Sequence, residues 1–216
     1  MYLAIEGVIG VGKTTLARLL QPIFDANLLL EVFEENPFLT SFYADRQRYA
    51  FQTQIFFLLS RYRQQHQAVP QLLASGKPLI ADYTFEKDAL FARINLQGDE
   101  LEMYRRVHEA LAEKIPLPQI VVYLRADVEV LMQRIALRDR PYERNMERGY
   151  IEQLCAAYDQ HFLTNRSANS SSVLVVDTNQ LDIIRNPQDL NSVVERIRQA
   201  LRLSPFQAEL PLPVEG

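Results

Sequence analysis

The chain has 216 residues, 48% of them hydrophobic and 23% charged, the make-up of one globular domain with a full-sized core, which excludes disorder over most of its length. Twenty-three Lys and Arg against 27 Asp and Glu give a net charge of −4, so no sequence-wide positive field exists to hold a nucleic-acid polymer or an anionic membrane. An anionic ligand would have to be met by a local site.

In chain order, Met1–Gly7 lacks the basic start and apolar core of a signal peptide, and no run approaches the ~18 apolar residues of a membrane span. A soluble, cytoplasmic protein is expected. Tyr2–Ile5 is the first apolar run of strand length, and Leu28–Leu30, Pro78–Ala81, Ile120–Leu124 and Val173–Val176 follow. They are short and apolar without alternation, as strands covered on both faces are, and the gaps between them have room for crossover helices. The expected fold is α/β, a five-stranded parallel sheet flanked by helices. Between the first two runs stands Gly7-Val-Ile-Gly10-Val-Gly12-Lys13-Thr14, which matches G-x-x-x-x-G-K-S/T and precedes a helical stretch with Leu16, Leu19, Leu20 and Ile23. In that context the backbone N–H groups around Gly7, Gly10, Gly12 and Thr15 are expected to cradle phosphates. Lys13 would reach the β- and γ-phosphates, and the Thr14 hydroxyl could ligate Mg2+. The chain is expected to bind a nucleoside triphosphate.

The segment Asn36–Ser75 carries Phe51, Ile55, Leu58, Leu59 and Tyr62 on one side of a helical wheel, which predicts a long amphipathic helix. After the third run, Asp82 is the candidate metal-binding acid. It is followed by Tyr83, not by a second acidic residue, and no N-K-x-D guanine-reading string occurs. Those two absences lean toward a kinase of a small acceptor. Arg134, Arg138, Arg140, Arg144 and Arg148 crowd a stretch broken by Pro141, and such a cluster reads as a mobile lid whose donors close over transferring phosphates. The one cysteine, Cys155, excludes an intramolecular disulfide and is expected to be buried and inert, and His66, His108 and His161 make no zinc pattern with it. Residues 1–203 read as one domain, with loop-rich sequence at Arg166–Ser172 and a flexible tail over 204–216.

Several blocks together resemble a known family. Leu30-Glu31-Val-Phe-Glu-Glu-Asn36-Pro37, Phe42-Tyr43, Tyr49-Ala-Phe-Gln-Thr-Gln54, Leu59-Ser-Arg61, Asp82-Tyr-Thr-Phe-Glu-Lys-Asp88 and Arg134-x-x-x-Arg138-x-Arg140-Pro are similar to the deoxyribonucleoside kinases, and most to their bacterial deoxyguanosine and deoxyadenosine kinase branch. The resemblance runs from Met1 to about Leu201. It implies ATP-dependent phosphorylation of a deoxynucleoside 5′-hydroxyl, with Mg2+, in a homodimer serving nucleotide salvage. It assigns the general base to Glu31, with Glu34 and Glu35 as rivals. It gives base reading to Gln54, with Gln52 as competitor, and to Arg61 paired with Asp88. It places Tyr43 and Glu152 on the sugar 3′-hydroxyl, Arg134 and Arg138 on ATP, and Arg138 and Arg140 on the transferring phosphate. Phe91 could stack on the base. Asp82 keeps the metal role beside Thr14. One departure is plain: where the family carries an arginine after that acid, this chain has Tyr83. The alternatives are a nucleoside monophosphate kinase of the thymidylate kinase kind, which would want an arginine at Tyr83, and a nucleotide-binding module without acceptor chemistry.

Overall fold

The computed structural model of the protein describes residues 1–32, 35–164 and 171–203. Five strands, β1 (Tyr2–Gly7), β2 (Asn27–Leu29), β3 (Leu79–Ala81), β4 (Ile120–Arg125) and β5 (Ser172–Asp177), form one sheet in the order β2-β3-β1-β4-β5. Every pairing is parallel, with Ala4 opposite both Ala81 and Val121 and with Leu124 opposite Val176. The chain therefore forms the expected parallel sheet. β1 continues two residues beyond its apolar run, because Glu6 and Gly7 keep pairing with Tyr123 and Leu124. The rest of the loop-rich stretch before β5, residues 165–170, lies outside the described residues, as does the tail over 204–216.

Helices cover both faces: α1 (Lys13–Phe24), α2 (Leu39–Ala44), α3 (Arg46–Ala74), α4 (Lys87–Asn95), α5 (Gly98–Ala112), α6 (Val128–Arg138), α7 (Arg148–Asp159) and α8 (Pro187–Ala200). A 3-10 turn, Pro141–Glu143, links α6 to α7, and a π-helical turn, Gln160–Thr164, extends α7. The main core packs Leu3, Ile5, Val122 and Leu124 of the sheet against Leu16 and Leu20 of α1 and Leu131 of α6. A smaller cluster of Tyr2, Leu29, Leu79, Ala81 and Tyr83 meets Val69 of α3. Among the described residues no helix is long and apolar enough to cross a membrane.

The expected long helix is α3. It is capped by Asp45, whose side chain accepts from Arg48 N at 3.2 Å, and runs 29 residues from Arg46. Of the apolar stripe, Leu58 is fully buried, Phe51, Ile55 and Tyr62 pack partly buried against the main core, and Leu59 is 50% exposed. Beside it the buried face also carries Thr53, Gln54, Arg61 and Gln65, polar groups that a plain core would exclude. A buried polar helix face marks a site, and this one looks onto the carboxyl ends of the strands, where open α/β sheets bind ligands.

Candidate active site

The end of β1 turns into α1 through backbone that few residues can adopt. A Cβ on Gly7, at φ 147°, would stand 2.5 Å from the Leu124 carbonyl oxygen, and one on Gly10 would stand 2.8 Å from the Ile135 side chain. Only glycine fits so close an approach. The loop thus brings its N–H groups to the N-terminus of α1, a ready-made anion site. Lys13 Nζ donates to the carbonyls of Gly7 (2.7 Å) and Val8 (3.2 Å). Burial, with Lys87 nearby, pushes its ammonium down to about 8.

The loop opens on a cleft of about 890 Å³, within the size range of small-molecule sites. Its described lining holds seven Lys and Arg against four Asp and Glu, so an acidic chain does carry a local cationic site. Gly10, Gly12, Lys13, Thr14, Thr15, Glu31, Tyr43, Gln54, Arg61, Asp82, Arg134, Arg138 and Arg140 all line it. Thr14 Oγ1 donates to Asp82 Oδ2 at 2.5 Å, so a hydroxyl and a carboxylate from β1's loop and β3's end meet beside the phosphate cradle. Two oxygen donors with room for phosphate and water suit Mg2+, which takes few protein ligands.

Glu31 sits two residues past β2, where its N–H donates to Asp82 Oδ1 at 2.7 Å. Arg61 Nε (3.0 Å) and Nη2 both reach its Oε1, and Lys87 Nζ reaches Oε2 at 2.5 Å. Burial pushes the Glu31 carboxyl up, but the Lys87 and Arg61 cations outweigh it and hold it well below the usual carboxylate range. Arg61 Nη1 pairs with Asp88, which is wholly buried. Gln54, buried at 2%, has an amide oxygen with no partner among the described residues. Gln52 is exposed and Glu35 is exposed, so neither competes for the cleft, and Glu34 lies outside the described residues. Phe91 lines the cleft edge-on to Tyr158.

Two expectations are corrected. Glu152 does not line the cleft: its side chain is 51% exposed on α7 and accepts from Arg148 Nε at 2.9 Å. The carboxylate that lines the cleft here is Glu143, 4% exposed, on the 3-10 turn that α6 and Pro141 set over the site. It lies close to Tyr43, whose hydroxyl is held well above its ordinary range, first by burial and then by Tyr150 and Glu143. Acids interleave the arginines over 134–148. Arg138 Nη2 meets Glu143 at 2.5 Å, Arg140 lies 3.7 Å from the same carboxylate, Arg144 forks onto Asp139, and Arg148 pairs with Glu129 as well as Glu152. Arg144 and Arg148 lie outside the cleft, whereas Arg134 crosses to the end of β5, donating to the Thr178 hydroxyl (2.9 Å) and carbonyl (2.7 Å). Cys155, expected buried, is only half-buried.

Two of the residues that sequence reasoning missed have a partner far away in the chain. Lys87 pairs with Glu31, 56 residues distant. Glu6, fully buried at the end of β1, accepts from Thr84 N (2.6 Å) and Thr84 Oγ1 (2.9 Å), and burial pushes its carboxyl up. Glu143 had a signal in its spacing, three residues past Arg140.

The profile of the family described as deoxynucleoside kinase matches residues 3–202. The deoxyguanosine kinase of Bacillus subtilis is 34% identical over 201 residues, covering 93% of this chain and 97% of that protein. The deoxyadenosine kinase of Dictyostelium discoideum is 29% identical, covering 100% of this chain and 85% of that protein. A deoxyadenosine kinase structure from M. mycoides with bound dATP superposes with a TM-score of 0.79 at 25% identity, over 92% of this chain and 99% of that one.

Proposed function

The chain belongs to the deoxynucleoside kinase family, and from that premise we propose that it moves the γ-phosphoryl group of ATP to the 5′-hydroxyl of a purine deoxynucleoside, for nucleotide salvage in the cytoplasm. The observation that carries the reading is the convergence, in one cleft, of Lys13 on the phosphate cradle with Glu31 held charged by Arg61 and Lys87. In this reaction the 5′-oxygen forms the new P–O bond, the bond to the ADP oxygen breaks, and Glu31 takes the hydroxyl proton. Lys13 follows the migrating charge, and Arg138 and Arg140 exchange Glu143 for the phosphoryl oxygens. Thr14 and Asp82 would hold Mg2+, whose chemistry is to neutralise the phosphate oxygens as charge shifts among them.

For the acceptor, Tyr43 and Glu143 are placed to hold the sugar and Gln54 to read the base. Arg61 spends Nε and Nη2 on Glu31 and Nη1 on Asp88, so base recognition by it would use the hydrogens left on its two terminal nitrogens. The purine assignment leans on the relatives above and on the Gln54, Arg61 and Asp88 set. The thymidylate kinase alternative wants an arginine at the position of Tyr83, and that side chain is wholly buried in the small second cluster. We also propose a homodimer. Leu59 on α3 and Met103 on α5, two helices that pack together, are 50% and 57% exposed. Sedimentation at micromolar concentration is expected to give twice the chain mass.

The deciding experiment measures kcat/KM for all four deoxynucleosides with labelled ATP. Deoxyguanosine or deoxyadenosine is expected to lead, and a tenfold or greater preference for thymidine or deoxycytidine over both would overturn the purine assignment.

A further inference from the structure

Lys87 opens α4, and both its place and its surroundings disfavour a cation. It stands in the first turn, where the helix dipole repels positive charge, and it is only 6% exposed. Pairing with Glu31 offsets those costs, yet replacing a buried ion pair by apolar side chains is often neutral for stability, so the fold alone does not call for an ammonium there. The cleft gives it a use.

The two oxygens of Glu31 are not equivalent. Oε1 accepts twice, from Nε and Nη2 of Arg61. Oε2 accepts once, from Lys87 Nζ at 2.5 Å, and keeps a lone pair. An acceptor hydroxyl that gives its proton to Glu31 therefore approaches Oε2, about 2.7 Å away as such bonds run, and arrives beside the Lys87 ammonium. Two of the three Nζ hydrogens are not committed to Oε2. The residue after Asp82 cannot supply this cation, because Tyr83 turns away from the cleft and its hydroxyl donates to Gln64 Oε1 at 2.5 Å. Gln64 Nε2 in turn donates to the Leu30 carbonyl at 2.9 Å, which braces the chain just before Glu31.

We propose that Lys87 is a positioning residue for the phosphoryl transfer: from the first turn of α4 it turns the free lone pair of Glu31 Oε2 toward the acceptor oxygen. As the new P–O bond forms and the bond to the ADP oxygen breaks, the hydroxyl proton passes to Oε2 while Nζ keeps that oxygen in place. The inference deepens the kinase reading above and rests on it.

The test compares the parent, Lys87→Ala, Lys87→Met and Lys87→Arg with the best deoxynucleoside and saturating ATP. Lys87→Ala is expected to lower kcat by about 10²–10³-fold, the usual worth of one such group, with the nucleoside KM moved only a few-fold. Lys87→Arg is expected to recover most of the loss, since it keeps a cation. Methylammonium or ethylammonium added to Lys87→Ala is expected to raise kcat in a saturable way, which a purely structural role would not do. A Lys87→Ala enzyme with near-parent kcat, or a loss that neither arginine nor alkylammonium relieves, would overturn the proposal. Should Lys87→Ala fail to fold, Lys87→Met keeps the stem, and near-parent turnover in it would overturn the proposal equally. A parent inert on all four deoxynucleosides would overturn the kinase reading and this one with it, whereas an active parent with an active Lys87→Ala enzyme overturns this one alone.

Discussion

The two sides of the cleft are built on opposite plans. On the acceptor side, Glu31, Arg61, Lys87 and Asp88 are all nearly buried, come from a strand end and two helices, and bond one another directly. On the lid side, Arg138 and Arg140 keep about a third of their side chains exposed, and their partner Glu143 sits on the same short segment. Nearby Leu137 and Ile184 line the cleft at 86% and 72% exposure. The acceptor side is organised before a ligand arrives, and its geometry is over-determined by pairs that span the chain. The other side holds its cations in pairs that close within one short segment. In the proposed reaction the buried groups would orient the proton acceptor, and the half-exposed arginines would gather the phosphates.

Substitutions can break or sharpen this contrast. The largest effect is expected where the sides meet: Lys13→Ala should leave the fold intact and lower kcat by about 10³-fold or more, because the charge that follows the phosphoryl group is gone. Near-normal turnover at saturating ATP would remove the glycine-rich loop from the mechanism.

On the rigid side, Glu31→Gln takes away a proton acceptor with little change in volume, and kcat is expected to fall by about 10²–10⁴-fold with nucleoside affinity nearly kept. Full activity in Glu31→Gln, with the loss appearing at Glu34 or Glu35, would move the base along the chain. Asp88→Ala acts one step further back. It leaves Arg61 buried with Glu31 alone, and kcat/KM for the best purine is expected to drop by an amount equal to about 2–4 kcal/mol, with a lower melting temperature. Unchanged selectivity among the four deoxynucleosides would show that the Gln54, Arg61 and Asp88 set does not act as a unit.

The lid side should answer to ligand, not to packing. Tryptic cleavage between Arg138 and Arg148 is expected to slow when ATP and a deoxynucleoside are present together, since phosphate oxygens then hold Arg138 and Arg140. Equal rates with and without ligand would count against a moving lid. The smallest effect belongs to Cys155, which does not line the cleft. Burial pushes its thiol up to about 11, so little thiolate exists at neutral pH. Alkylation is expected to be slow at pH 7 and to speed up about tenfold per unit toward pH 10, with turnover unchanged in Cys155→Ser. Fast labelling at pH 7 would mean that the π-helical turn after α7 opens.

Much of this protein is legible in its sequence, and the reason is locality. The five apolar runs and the glycine-rich loop between a strand and a helix are signals carried within a few residues, and each became the expected element. Glu31, Gln54 and Arg61 could be picked out because they stand in blocks that resemble the family, and all three line the cleft. Tertiary structure decided what locality could not. The wheel of α3 marked an apolar stripe, but neighbouring elements also bury the polar residues Thr53, Gln54, Arg61 and Gln65 beside it. Glu152 had a matching block around it, yet the path of the chain through Pro141 puts Glu143 in the cleft and turns Glu152 to solvent. Lys87 carried no sequence signal of its own, and only the meeting of α4 with the end of β2 makes it a buried partner of Glu31. Side-chain pairs that close over 50 or more residues leave no periodicity to read, because their geometry exists only once the sheet has brought its strand ends together.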